Sequence, residues 1–257
     1  MLVKIASLNS ASVLTRIAAG LITSKVIALF VGPVGLALIG NLRDVFNTLQ
    51  SFSTLGFYNG IVKYVSEFKN DAKKLTQTIS SVFYLMLIAT IIVALFCFFG
   101  AGYINQYIFP NGENYSYIIK LIAVAIPFYA LNILMTSILN GLSRFKTILK
   151  IQIIGHVLST CLTVVLIWKQ HIHGALLAIV LAEILFFIIT LNGVSDKRYF
   201  LSLISKKNIS LKKIKKLSTF SIMALFTATI APLVALSIRN YIIDTVSIDD
   251  AGFWEAM

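Results

Sequence analysis

Seven long apolar segments constrain this chain more than any motif within it. Read over a window of about 19 residues, they fall at 10–31, 36–60, 78–102, 115–141, 148–168, 174–194 and 217–243. A helix of about 20 residues crosses the hydrocarbon layer of a bilayer, and in lipid a segment of this kind must satisfy its backbone internally, as a helix does. Hydrophobic residues make up 58% of the chain and the mean hydropathy is +0.89, whereas soluble domains hold roughly 45–50% apolar residues. The expected fold is therefore an all-α, polytopic membrane helix bundle. The first segment is long, carries Arg16 and Lys25, and has no small-residue cleavage site, so it reads as a membrane helix and not a signal peptide.

The net charge of +12 follows this topology. Lys63, Lys69, Lys73 and Lys74, then Arg144, Lys146 and Lys150, then the basic run from Lys197 to Lys216 fall on alternate connections. The intervening ones at 32–35, 103–114 and 169–173 hold only Lys169. By the positive-inside rule the N-terminus is cytoplasmic. The excess charge speaks for anionic lipid headgroups and against nucleic acid as a partner. Residues 195–216 form the longest polar stretch, read either as a basic segment on the membrane surface or as a solvated loop. This divides the chain into a six-helix lobe at 1–194, a linker at 195–216, and at 217–257 the first helix of an incomplete second lobe.

Polar residues inside the spans carry the functional signal. Arg43, Asn47, Gln50, Ser51 and Thr54 recur along one helical face. Gln152, His156, Ser159, Thr160 and Thr163 do the same in the fifth helix, and Asn132, Thr136 and Asn140 more weakly in the fourth. Such stripes mean either helix-to-helix hydrogen bonds or a watered cavity, which charged residues favour because their solvation is kept. Counting inward from the turns puts Lys25, Arg43, Asp44 and Glu183 in one layer roughly 13 Å deep. Asp44 and Glu183 are thus candidate charge partners of Lys25 and Arg43, and a Lys25–Asp44 ion pair competes with a binding role for Lys25. Arg16 lies with Ser12, Ala19, Gly20 and Thr23 on the opposite face, either lining a cavity or snorkelling to the surface. His156 is the one group in a span that titrates near neutral pH; it reads either as a core histidine or as a proton carrier.

Cys97 and Cys161 have no metal-type spacing and read as thiols within apolar helices. The sequence offers no catalytic triad, phosphate-cradling glycine loop, metal site or cofactor motif, so enzyme chemistry has no support.

The blocks "TRIAAGLITSKVIALFVGPVGLALIGNLRD", "GFYNGIVKYVSEF", "FSIMALFTATIAPLVALSIRN" and "AGFWEAM" resemble bacterial O-antigen flippases. These Wzx-type translocases are kin of the enterobacterial common antigen flippase, in the polysaccharide exporter branch of the multidrug/oligosaccharidyl-lipid/polysaccharide superfamily. The resemblance implies two six-helix lobes and an inner-membrane location. The implied substrate is an undecaprenyl-pyrophosphate-linked oligosaccharide, moved between leaflets by alternating access. It also implies membrane lipid, an O-antigen polymerase and a chain-length regulator as partners. The implied cationic cavity draws on Arg16, Arg43, Lys25 and Arg239, with Asn47, Gln50, Thr54 and His156 as polar lining. Since the family has about twelve helices, these 257 residues are expected to be a fragment. Two other readings are a multidrug exporter of the same superfamily and a non-transporting subunit that scaffolds polysaccharide assembly.

Overall fold

The computed structural model describes residues 2–109, 114–194, 197–205 and 211–256, without the side chains of 2–6, 211–217, 219 and 220. Among these residues every regular element is a helix. They are α1 (Leu2–Phe30), α2 (Gly32–Thr54), α3 (Tyr58–Phe68), α4 (Ala72–Phe99), α5 (Ala101–Ile108), α6 (Ser116–Gly141), α7 (Phe145–Gly193), α8 (Lys197–Ser202), α9 (Leu211–Thr245) and α10 (Ile248–Ala256).

Five described helices, α1, α4, α6, α7 and α9, are long and apolar enough to cross a membrane. The 49-residue α7 is two arms reversed at His171, whose φ of 47° and ψ of −122° are not helical. The close return leaves no room at Gly174, where a Cβ would stand 1.9 Å from the Leu166 carbonyl oxygen. Counting the two arms of α7 separately and adding α2, seven helical stretches among the described residues have the length of a span, the number expected from the hydropathy. α2 has the length, 23 residues or ~34 Å, but its polar residues lower its hydropathy.

The boundaries of the second segment need correction. The helix stops at Thr54, because Leu55 (φ 51°) and Gly56 (φ 65°) turn left-handed, and α3 follows as a separate amphipathic helix. Glycine suits that turn, and α9 also presses on it: a Cβ at Gly56 would lie 2.9 Å from the Ser221 carbonyl oxygen. The third segment runs Ala72–Phe99, starting on Asp71, whose side chain caps the Lys74 amide. The expected loop at 103–114 holds part of α5, and α9 is already helical from Leu211. In the linker, Ser80 on α4 donates to the Leu203 carbonyl and accepts from the Ser205 amide, pinning the end of α8. The lysines at 206, 207, 212, 213, 215 and 216 lie outside the described side chains.

α2 is the centre of the bundle, touching α1, α4, α5, α6, α7, α9 and α10. Its Leu38, Ile39, Leu42 and Phe46 are buried in the main core with Ile118, Ile122 and Ile126 of α6 and Leu176 and Val180 of α7. α1 is peripheral: it meets only α7 and α2 in any number of places, and Leu14, Leu21 and Leu29 point outward.

Candidate functional site

α1, α2 and the two arms of α7 line a partly open cavity of about 930 Å³. Arg16, Ala19, Gly20, Thr23, Ser24 and Ile27 form its α1 wall, and Ile39, Arg43 and Asn47 its α2 wall. The first arm of α7 gives His156, Ser159, Thr160 and Thr163, the second Ala175, Ala178, Ile179 and Ala182. The walls differ in composition. Small residues hollow the α1 face and the second arm of α7, and polar residues line α1, α2 and the first arm of α7, with Ile27, Ile39 and Ile179 as the apolar positions.

The chemistry of the lining is one-sided. Two guanidiniums face the cavity and no carboxylate does. Arg16 and Arg43 are both exposed to it, and neither is in one of the three ion pairs found among the described residues. The hydroxyls of Ser159, Thr160 and Thr163 donate back to carbonyls one turn earlier, at 3.2, 2.7 and 2.8 Å. Their oxygens therefore remain as acceptors, while the arginines and the Asn47 amide donate. His156 stands edge-on to Phe186, ring centroids 5.4 Å apart. Arg16 and His156 each lie fourteen residues before the end of their helical arm, at Phe30 and Gln170. Arg43, eleven residues past Gly32, is thus about 5 Å nearer the turns at the lysine-poor end.

Of the residues expected to form a cationic cavity, Arg16, Arg43, Asn47 and His156 line this one; the others do not. Lys25 is exposed on the outward face of α1, nine residues and half a helical turn away from Arg16. Asp44 does not pair with it, because its Oδ2 accepts from Arg239 Nη1 at 2.8 Å. Arg239, 2% exposed, is committed to Asn41, Asp44 and Glu255 and lies over Trp254. Glu183 accepts from Gln50 Nε2 at 3.0 Å, so both turn from the cavity into the α2–α7 contact. Thr54 is buried and donates to the Gln50 carbonyl. The polar residues of α6 are packing groups: Asn132 accepts from Thr190 at 2.7 Å and Asn140 donates to Tyr58 at 3.0 Å. Ser12 is likewise spent on Gln152, at 3.0 Å.

Sequence reasoning passed over the alanine wall, though its spacing at 175, 178 and 182 in "HGALLAIVLAE" is legible. It also passed over Asn41, Asn240 and Glu255, single polar residues with no periodic signal.

The family model described as polysaccharide biosynthesis protein matches residues 1–257. The chain belongs to this family. Two curated family relatives, both called Lipid III flippase, come from Escherichia coli (strain K12) and Shigella flexneri. Each is 26% identical, over 97% of this chain and 60% of its own length. The chain thus spans about three-fifths of the curated relatives it matches. A solved structure named "protein A" superposes with a TM-score of 0.72 at 17% identity, covering 97% of this chain and 58% of that one. An inward-facing multidrug resistance MATE family transporter of the MOP superfamily gives 0.68 at 14% identity, over 94% and 59%. These likenesses show the fold, a multi-pass membrane helix bundle.

Proposed function

We propose that this chain forms the cationic part of a flippase for undecaprenyl-pyrophosphate-linked oligosaccharide units, of O-antigen or a related type. The flippase moves them from the cytoplasmic to the periplasmic leaflet of the inner membrane by alternating access. Residues 1–194 make the first lobe, 195–216 the linker, and 217–257 open a second lobe, with the N-terminus cytoplasmic. An O-antigen polymerase and a chain-length regulator are the partners this reading calls for.

The observation that carries the reading is the acid-free cavity with Arg16 and Arg43 at two depths. A diphosphate needs donors that match its oxygens, and a guanidinium offers a planar fork. Each charge-assisted hydrogen bond contributes about 1.5–3 kcal/mol. The hydroxyl oxygens and Asn47 suit sugar hydroxyls. With Arg16 deeper than Arg43, the diphosphate passes from one to the other as it moves toward the lysine-poor side. The names of the two curated relatives support the same class of cargo. An exporter of organic cations is the weaker reading, since two unpaired guanidiniums repel such a cargo.

The test is restoration of surface polysaccharide in a flippase-null strain by the full-length protein carrying Arg43→Lys or Arg43→Glu, and the same pair at Arg16. Lysine keeps the charge without the fork and is expected to leave partial function; glutamate is expected to abolish it. Equal function in both variants would refute the assignment.

A further inference from the structure

α2 presents two adjoining faces with different company. Ile39, Arg43 and Asn47 line the cavity, while the next residues round, Gly40 and Asp44, meet α9 and α10. Successive residues on a helix are about 100° apart, so one short stretch of α2 serves both the cavity and the neighbouring helices.

The second face is tied at one guanidinium. Arg239 on α9 donates through Nη1 to Asn41 Oδ1 and Asp44 Oδ2, both at 2.8 Å, and through Nη2 to Glu255 on α10. The amide of Asn41 in turn donates to Asn240 Oδ1 at 3.0 Å and to the Ile108 carbonyl at 2.9 Å. One cluster thus joins α2, α5, α9 and α10. Backbone approach is close: a Cβ at Gly40 would meet Arg239 Cζ at 2.7 Å, and one at Gly252 would meet the Pro33 carbonyl oxygen at 2.0 Å. α10 is therefore pressed onto α2 at the end near the α1–α2 turn.

We infer that Arg239, Asp44 and Glu255 form a latch between the two lobes, holding α9 and α10 against α2 in the conformation described, and that its release opens the cavity toward the periplasmic side. The inference rests on the two-lobe, alternating-access reading above. A permanent brace in lipid is better built from close apolar packing, because a buried ion pair often contributes no more than the apolar group that could replace it. An ionic cluster is suited to a contact that is made and broken. Here Asp44 and Glu255 keep 15% and 20% of their side chains exposed beside a 2% exposed arginine, so water reaches the carboxylates as α10 lifts. The buried Arg239 Nε has no partner, and that leaves the closed state short of full hydrogen bonding. Because Arg43 and Asp44 are consecutive, a shift of α2 that accommodates an anion at Arg43 moves Asp44 against Arg239.

The cluster contains its own reporter. Trp254 lies 5.4 Å from the Arg239 guanidinium, and the chain has one other tryptophan, Trp168. With Trp168→Phe, acrylamide quenching of Trp254 in lipid vesicles reads the latch. A second reading is the rate at which Thr163→Cys, on the cavity wall, reacts with an impermeant thiol reagent added outside spheroplasts, in a Cys97→Ser, Cys161→Ser background. Arg239→Gln and Asp44→Asn are each expected to raise the quenching constant about twofold, as local opening does, and the thiol rate about tenfold. The Asp44→Asn/Arg239→Gln double variant is expected to go no further than Arg239→Gln alone, because the two residues act as one contact. Arg239→Lys, which keeps the charge, is expected to fall between and stands in if Arg239→Gln does not fold. Trp254 freed with the thiol rate unchanged makes Arg239 a mere brace and overturns the latch, as does no change in either readout. Neither measurement uses a lipid-linked sugar, so failure of polysaccharide restoration counts against the flippase reading separately.

Discussion

Arg239 and Asp44, 195 residues apart in sequence, meet with Nη1 2.8 Å from Oδ2 and join the seventh span to the second. Glu255 completes the cluster from α10. Removing the arginine strands two carboxylates at a helix contact. Arg239→Ala is therefore expected to lower stability by about 3–5 kcal/mol, the cost of breaking a buried pair from one side. Thermal unfolding in detergent, followed by loss of monodisperse elution, measures it, and a loss below about 1 kcal/mol would contradict the buried-pair account.

Cavity and lipid faces alternate along the first arm of α7, and thiol labelling distinguishes them. Thr160 lines the cavity, whereas its neighbour Cys161 is exposed but absent from the lining, so it faces lipid. A charged, water-soluble thiol reagent is expected to modify Thr160→Cys and Asn47→Cys at least ~10-fold faster than native Cys161. Equal rates at 160 and 161 would mean that the cavity is not watered.

The α6 stripe is expected to behave as packing. Thr190→Val removes the 2.7 Å bond to Asn132, and interhelical hydrogen bonds of this kind contribute about 0.6 kcal/mol, reaching ~1.7 kcal/mol. Surface polysaccharide restored by the full-length variant should stay at the wild-type level. Its loss with folding intact would place Asn132 in transport instead.

Two glycines make a matched pair for the close approach of α10. Gly252→Ala drives a methyl into the Pro33 carbonyl and is expected to cost about 1–3 kcal/mol. A Cβ at Gly102 meets nothing within 4 Å, so Gly102→Ala is expected to be neutral or stabilising by up to about 1 kcal/mol. Unfolding midpoints of the two variants test the contrast, and equal shifts would exclude the tight α2–α10 contact.

Much of this arrangement was readable in advance. The small, polar face of α1 at Arg16, Ala19, Gly20 and Thr23 does turn to a cavity, whereas Lys25, expected among the cavity cations, turns away from it. The Arg43–Asn47 pair of α2 was visible from spacing alone. Gln50 and Thr54, on the same stripe, were not distinguishable from Asn47: all three are polar and in register, yet Glu183 takes up Gln50 and a carbonyl takes up Thr54. The depth count placed Asp44 level with Lys25, but depth says nothing about azimuth. Asp44 points to α9, where Arg239 claims it. The break after Thr54 had a local signal in Gly56, overridden in the hydropathy reading by the apolar residues on either side.

What the sequence determined by itself is the solvent and the secondary structure. Transfer of side chains into lipid adds up residue by residue, so seven spans and their polar faces are fixed by local composition. Which polar group meets which was decided only in the tertiary structure. In lipid all apolar helix surfaces are nearly equivalent neighbours, and the choice among them falls to close fit and a few hydrogen bonds. Glycine at 40 and 252 brings α9 and α10 onto α2, and that contact is what turns Arg239 from a cavity cation into the partner of Asp44, while Arg16 and Arg43 stay on the cavity wall, outside the ion pairs of the described residues.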